Sequence, residues 1–332
     1  MCINENEYHE CDILSIEYKN FINNILSSTD DDKSYCMKYP KCLEYATESH
    51  IFQEKRILTP VAPNNVLYMF KYRPIYFDDK IYYNRVPTRH CLTFKGFCKE
   101  HDDKLFAPIE KHNNIDWNNV KSQYLLAYKC LCRELYVKMK DKTVLTKILT
   151  YIRGPIVEKY KSKQDERIYS IKHIIKYKDI IENGVYNNDY KYNFITINLP
   201  FQIDLFLSAP ISISYHSSYS IMLDRFELNI VNIFPYKGET IVILGYDKLF
   251  KNIWLNQIIN KLQSNDNAKI SEALQDILFR SDCHCFSEKL YNAISNKLNL
   301  FINEWYENKD NFNLEIKYTS NIFKDYINSI RL

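Results

Sequence analysis

The run LNIVNIF-PYKG-ETIVILG, residues 228 to 245, decides the fold class of this chain. Apolar and polar residues alternate on both sides of a Pro-Tyr-Lys-Gly link, the pattern of two half-buried strands joined by a tight turn. Upstream, NFITINL (193–199), IDLFLS (203–208) and ISISY (211–215) are strand-like as well, so a sheet is expected from Asn193 onward. Downstream, Lys251 to Ile330 reads as mostly helical. Two helical stretches come before the sheet. From Trp117 to Tyr151 apolar residues such as Tyr124, Leu125, Tyr128, Leu131 and Leu135 recur at helical spacing, with a break expected near Asp141. The second stretch follows Gly154-Pro155, ends near Gly184 and carries lysines from Lys159 to Lys178. Earlier still, VLYMF, IYYNRV and CLTF read as short strands, and residues 12 to 28 as a short helix. The fold class is α+β, organised as a module over 1–115, a helical connector over 116–185 and a C-terminal domain over 186–332 with a mixed β-sheet plus helices.

Composition narrows the function. A chain of 332 residues with 46% hydrophobic and 26% charged residues can bury a substantial core, and its net charge of +3 is too small to imply nucleic acid or a membrane by itself. Only 5 glycines occur, widely separated, so no phosphate-cradling loop is present. Neither Gly-x-Ser-x-Gly nor His-Glu-x-x-His is found, which removes the serine-hydrolase and zincin motifs. The polar, acidic start MCINENEYHECD does not read as a secretion signal, and no run reaches the ~18 apolar residues of a membrane span. A cytoplasmic protein is expected, its 10 cysteines being thiols or metal ligands rather than a disulfide framework.

Among those cysteines, Cys36-x5-Cys42 and Cys98-x2-His101 form two pairs of the ligand types that Zn²⁺ takes in a closed tetrahedral site. A Cys at the end of a strand and a His three residues later, in the first turn of a helix, can converge on one ion because helical geometry brings both to one face. The alternative is ordinary buried cysteines and a surface histidine. Cys130-x-Cys132 falls inside a helix, where residues two apart diverge, so core packing explains it better. Cys283-His284-Cys285 lacks a second ligand pair and reads as a surface turn or buried thiols. His216 and Ser217 have no identifiable acid partner.

After Cys36 and Cys42 come Glu48-Ser49-His50-Ile51, a variable stretch, the strand CLTFKGF and then Cys98-Lys99-Glu100-His101-Asp102. This order resembles the HNH, or ββα-metal, nuclease family built on a treble-clef zinc knuckle, over about 75 of the 332 residues. It also resembles uncharacterised bacterial proteins with Ser-His-Ile and Gly-Phe-Cys-x2-His-Asp motifs, some associated with phage defence. The resemblance implies a zinc-stabilised ββα N-terminal module that hydrolyses DNA or RNA phosphodiesters. It implies His50 as general base, Asp102 as ligand of a catalytic Mg²⁺ or Mn²⁺, and Glu48 as an assisting acid. Asn64, Asn65 and Asn84 are candidates for the family's asparagine.

Two positions depart from the family pattern. Ser49 stands where an Asp or His usually precedes the catalytic histidine, and Asp102 stands where a histidine is usual. The competing reading is therefore a non-catalytic, zinc-stabilised interaction or regulatory protein, with His50 merely hydrogen-bonded at a strand end and Asp102 favoured by the helix dipole. The lysine-rich helix reads as a solvated face or as a surface for a nucleic-acid backbone. The C-terminal domain is a candidate surface for a protein partner, and no membrane partner is expected.

Overall fold

The computed structural model describes residues 24–25, 33–38, 42–71, 82–212, 226–308, 318 and 320–331. Most of the helix expected over 12–28, together with His216 and Ser217, lies outside the described residues. The first half contains β1 (Thr47–His50), β2 (Val66–Lys71), β3 (Tyr82–Pro87), β4 (Thr93–Phe97), α1 (Lys99–Leu105) and α2 (Ala107–Glu110). Two long helices follow, α3 (Val120–Tyr151) and α4 (Ile156–Asn187). Next come β5 (Asn193–Leu199), β6 (Leu205–Ser212), β7 (Leu228–Tyr236) and β8 (Glu239–Tyr246). The remainder is α5 (Ile253–Leu262), α6 (Asn267–Phe279), the short β9 (His284–Phe286), α7 (Glu288–Asn308) and α8 (Lys324–Ile330).

The expected hairpin is β7–β8, with Tyr236 opposite Glu239. Its two-residue turn holds Lys237 at φ 53° and Gly238 at φ 84°, the left-handed pair that a type I′ turn demands and that matches the twist of the strands. Around it runs a seven-stranded sheet in the order β3-β2-β9-β6-β7-β8-β5. Every described pairing in it is antiparallel, which corrects the expected mixed sheet. IDLFLS and ISISY also overlap a single strand, β6, which passes through Pro210.

Alternation along β6, β7 and β8 sorts side chains to two cores. Phe206, Ile230, Phe234 and Ile243 pack with Tyr124, Tyr128, Leu131 and Ile174 of α3 and α4. Leu207, Val231, Ile233 and Val242 pack with Trp254, Leu274, Ile277 and Leu290 of the C-terminal helices. The sheet is thus the middle of three layers, the arrangement that covers both of its apolar faces. β2 and β3, from the 1–115 stretch, join this sheet through β9, and Cys36, Phe94 and Phe97 share the first core with α3 and β7.

One expectation about the long helices changes. α3 continues through Asp141 for 32 residues, and Asp141 accepts from Arg167 Nε of α4 at 3.1 Å. α4 ends at Asn187, close to the expected end near Gly184, with a left-handed cap at Asn188. A Cβ at Gly184 would lie 2.0 Å from the Tyr124 ring, so glycine is what lets α4 approach α3 there.

The strand β9 was not legible as such, since three residues carry no periodicity, yet it joins β2 to β6. Its His284 is 1% exposed and shares a 2.9 Å hydrogen bond between Nε2 and the Tyr83 hydroxyl. Burial holds this imidazole down to about 3, although Asp282 nearby acts the other way. The unfolded chain therefore takes the proton first. Stability present above pH ~6.5 is lost as pH falls toward the folded value, by up to ~1.4 kcal/mol per unit from this group. Urea unfolding of wild type and His284→Asn between those limits is expected to show a shallower pH dependence in the variant.

Candidate metal centre and the adjoining charged cluster

Cys36 leads into a turn at Met37 and Lys38, and hydrogen bonds join the backbone around Cys36 to that beyond Cys42: Cys36 N–H donates to Glu44 O at 2.9 Å and Ala46 N–H to Ser34 O at 2.8 Å. Met37 N–H reaches Gly96 O at 2.8 Å, which ties this turn to β4. β1 pairs antiparallel with β4, His50 opposite Thr93. Cys98 ends that strand run as the residue that caps α1, and Asp102 N–H donates to its carbonyl at 3.0 Å. One helical turn then brings His101 back toward Cys98.

The result is that Cys36, Cys42, Cys98 and His101 bring their ligand atoms within 4.8 Å of one another. Cys42 Sγ lies 3.9 Å from Cys98 Sγ, and His101 Nδ1 lies 3.6 Å from Cys36 Sγ and 3.2 Å from Cys98 Sγ. Around a tetrahedral zinc the expected edges are ~3.8 Å between sulfurs and ~3.6 Å between sulfur and nitrogen. The donor set and its spacing fit such an ion, and the three cysteines are buried. Burial pushes the Cys36 thiol up to about 11, so this sulfur keeps its proton until a metal displaces it.

Beside this centre lies a group that the sequence did not disclose. Lys129 of α3 is 0% exposed, with its ammonium held against Glu110 Oε1 of α2. The same ammonium donates to the His50 carbonyl at 2.8 Å, stands 3.8 Å from Asp102 Oδ1 and lies 4.3 Å from the centre of the Phe106 ring. One lysine thereby pins the end of β1 to α1 and α2. Asp102 Oδ1 is buried and accepts no hydrogen bond.

The other expected residues scatter. His50 is half-buried on β1, and its Nε2 lies 3.2 Å from Thr88 O. Glu48 is exposed, 3.7 Å from His90 Nδ1. Ser49 points the opposite way along the strand and is buried at 1% exposure. Asn64 donates to Glu288 of α7, and Asn84 sits on the outer strand of the large sheet. Asn65 takes a left-handed turn conformation and accepts from Thr88 N–H, so neither it nor Asn64 joins His50 through a described hydrogen bond. Cys130 and Cys132 are buried in α3, and Cys283 and Cys285 are buried thiols on or before β9 rather than a surface turn. Among the described residues the Cys36 cluster is the one group of three or more side chains gathered for a metal.

Replacing Lys129 tests how much this pin matters. Removing one partner of a buried ion pair costs about 3 to 5 kcal/mol, and the lower end applies because Glu110 and Asp102 keep 19% and 22% exposure and can rehydrate. Lys129→Met is expected to lower the urea midpoint accordingly. An unchanged midpoint would mean that the pair contributes nothing net.

No family model, curated protein or solved structure matches the chain. No described helix is long and apolar enough to cross a membrane.

Proposed function

We propose that the chain is a zinc-braced nuclease of the ββα-metal type that hydrolyses nucleic-acid phosphodiesters. The observation that carries the reading is Lys129: through one ammonium it fixes the strand end bearing His50 and the helix bearing Asp102 next to the Cys3His cluster. In this reading zinc is structural. It holds the knuckle, β4 and α1 together, leaving His50 and Asp102 for chemistry.

His50 takes the proton of the attacking water, the usual task of an imidazole in general acid–base catalysis. Asp102 can hold a hard divalent ion. Glu110 already compensates the Lys129 charge, and the Asp102 side chain keeps 22% exposure although its Oδ1 is buried on the side of that ammonium. A bound Mg²⁺ or Mn²⁺ would supply Lewis-acid stabilisation of the phosphate and the leaving oxygen. Glu48 pairs with His90 at 3.7 Å, which makes it a weaker candidate than Asp102 for a direct role.

A specific observation favours a second reading, the non-catalytic interaction protein. The Thr88 carbonyl engages His50, and an ammonium stands beside Asp102, so both side chains have structural employment. Phage defence is one setting in which either reading could act. The two are separated by incubating the protein with single- and double-stranded DNA and RNA, with and without Mg²⁺ or Mn²⁺. Divalent-dependent cleavage supports the nuclease. Absence of cleavage of all four substrates supports the interaction protein.

A further inference from the structure

A surface cavity of about 350 Å³ opens where the β7–β8 turn meets the segments leaving β1 and α2. Arg56, His112, Lys237, Gln53 and Tyr236 line it, with Ile109 as part of its apolar wall. None of these residues was singled out as a site residue in the sequence, and none belongs to the Cys3His cluster.

Its charge is one-sided. Arg56 donates one guanidinium N–H to the His112 carbonyl at 2.6 Å, and the Lys237 ammonium donates to Asn114 Oδ1; both partners are neutral. Neither cation has a carboxylate partner among the described residues. The bond to His112 leaves most of the Arg56 fork available, and the Lys237 ammonium lies 5.3 Å from the Tyr236 ring centre. A planar fork and a point charge at one concavity are the recognition chemistry of a phosphate. Lys237 is also unusual where it stands, because the first position of a type I′ turn favours Asn, Asp or Gly.

Position links this cavity to the candidate site. Gln53 follows His50 by three residues, and Ile109 precedes Glu110, which holds Lys129. We infer that the cavity binds a backbone phosphate of a nucleic-acid strand, flanking the phosphodiester presented to His50. This inference rests on the nuclease reading for the identity of the strand, while the phosphate chemistry rests on Arg56 and Lys237 alone.

The test is binding without cleavage. His50→Ala protein, free of divalent ions, is titrated with fluorescent single-stranded DNA, single-stranded RNA and duplex DNA across roughly 50 to 200 mM salt, with pyrophosphate as a competitor. Arg56→Gln and Lys237→Asn are compared with Lys289→Gln on the exposed face of α7. Lys237→Asn suits the left-handed turn better than lysine, so lost binding cannot be blamed on a broken hairpin. Each groove substitution is expected to weaken binding of at least one strand type by several-fold and to lower its salt slope by about 1, and Lys289→Gln to do neither. Equal affinity and slope in all variants would overturn the inference. Pyrophosphate binding without any oligonucleotide binding would also overturn it, in favour of a small phosphate ligand. If the groove variants alter strand binding but wild type cleaves nothing, the groove stands and the nuclease reading falls.

Discussion

Protein purified without added metal and dialysed free of loosely held ions is expected to carry close to one equivalent of zinc, and Cys98→Ser almost none. The reason is geometric: Cys98 is the residue at which β4 ends and α1 begins, and its sulfur lies near both Cys42 Sγ and His101 Nδ1. Losing it removes one of four ligands and the junction between the two ligand pairs. Structural zinc is worth an apparent ~10 to 16 kcal/mol in isolated finger peptides. Here the value should be smaller, several kcal/mol, because Phe97 and Phe106 also tie the unit to α3 through Tyr128. The change should be local. Amides of Cys36, Met37 and Ala46, which close the knuckle onto itself and onto β4, are expected to lose exchange protection, while those of β7 and β8 keep theirs. A folded wild type with no metal would remove the centre from the account.

The second large effect concerns rate. His50→Ala should reduce divalent-dependent cleavage by ~10² to 10⁴, the usual contribution of a positioned proton acceptor. Zinc content and unfolding midpoint should change little, because the structural bond of this residue to Lys129 comes from its backbone carbonyl, which alanine retains. Only the 3.2 Å contact of its ring with Thr88 O is lost. That separation of rate from stability distinguishes a base from a strand-end hydrogen bond. Equal cleavage by variant and wild type would show that His50 is not the base. An equal loss of activity, zinc and folding would assign the residue to structure instead.

How much of this was readable in advance depends on the range of the signal. The β7–β8 hairpin was legible because alternation and Gly238 are local, and the Cys98–His101 pair because helical geometry alone brings them together. The convergence of Cys36 and Cys42 on that pair could be expected only from motif order, since 56 residues separate Cys42 from Cys98. Lys129 was hidden for a different reason. It sits between Tyr128 and Cys130 in α3, and a lysine on a long helix is usually solvated. Its one clue was position, four residues after Leu125 on the buried face. Glu110 and Asp102, which face it, lie on two other helices. Why residue 184 is a glycine was not readable, because the Tyr124 ring that it makes room for lies on a different helix. The break expected near Asp141 is absent: α3 runs through it, and Arg167 of α4 pairs with the Asp141 carboxylate.

Cys36, Cys42, Cys98 and His101 are expected to form one zinc centre. X-ray absorption at the zinc edge of the purified protein reads its coordination directly. The expected spectrum is three sulfurs at ~2.3 Å and one nitrogen at ~2.0 to 2.1 Å. A shell of oxygen and nitrogen alone, or a sulfur count unchanged in Cys98→Ser, would place the metal elsewhere and contradict the account.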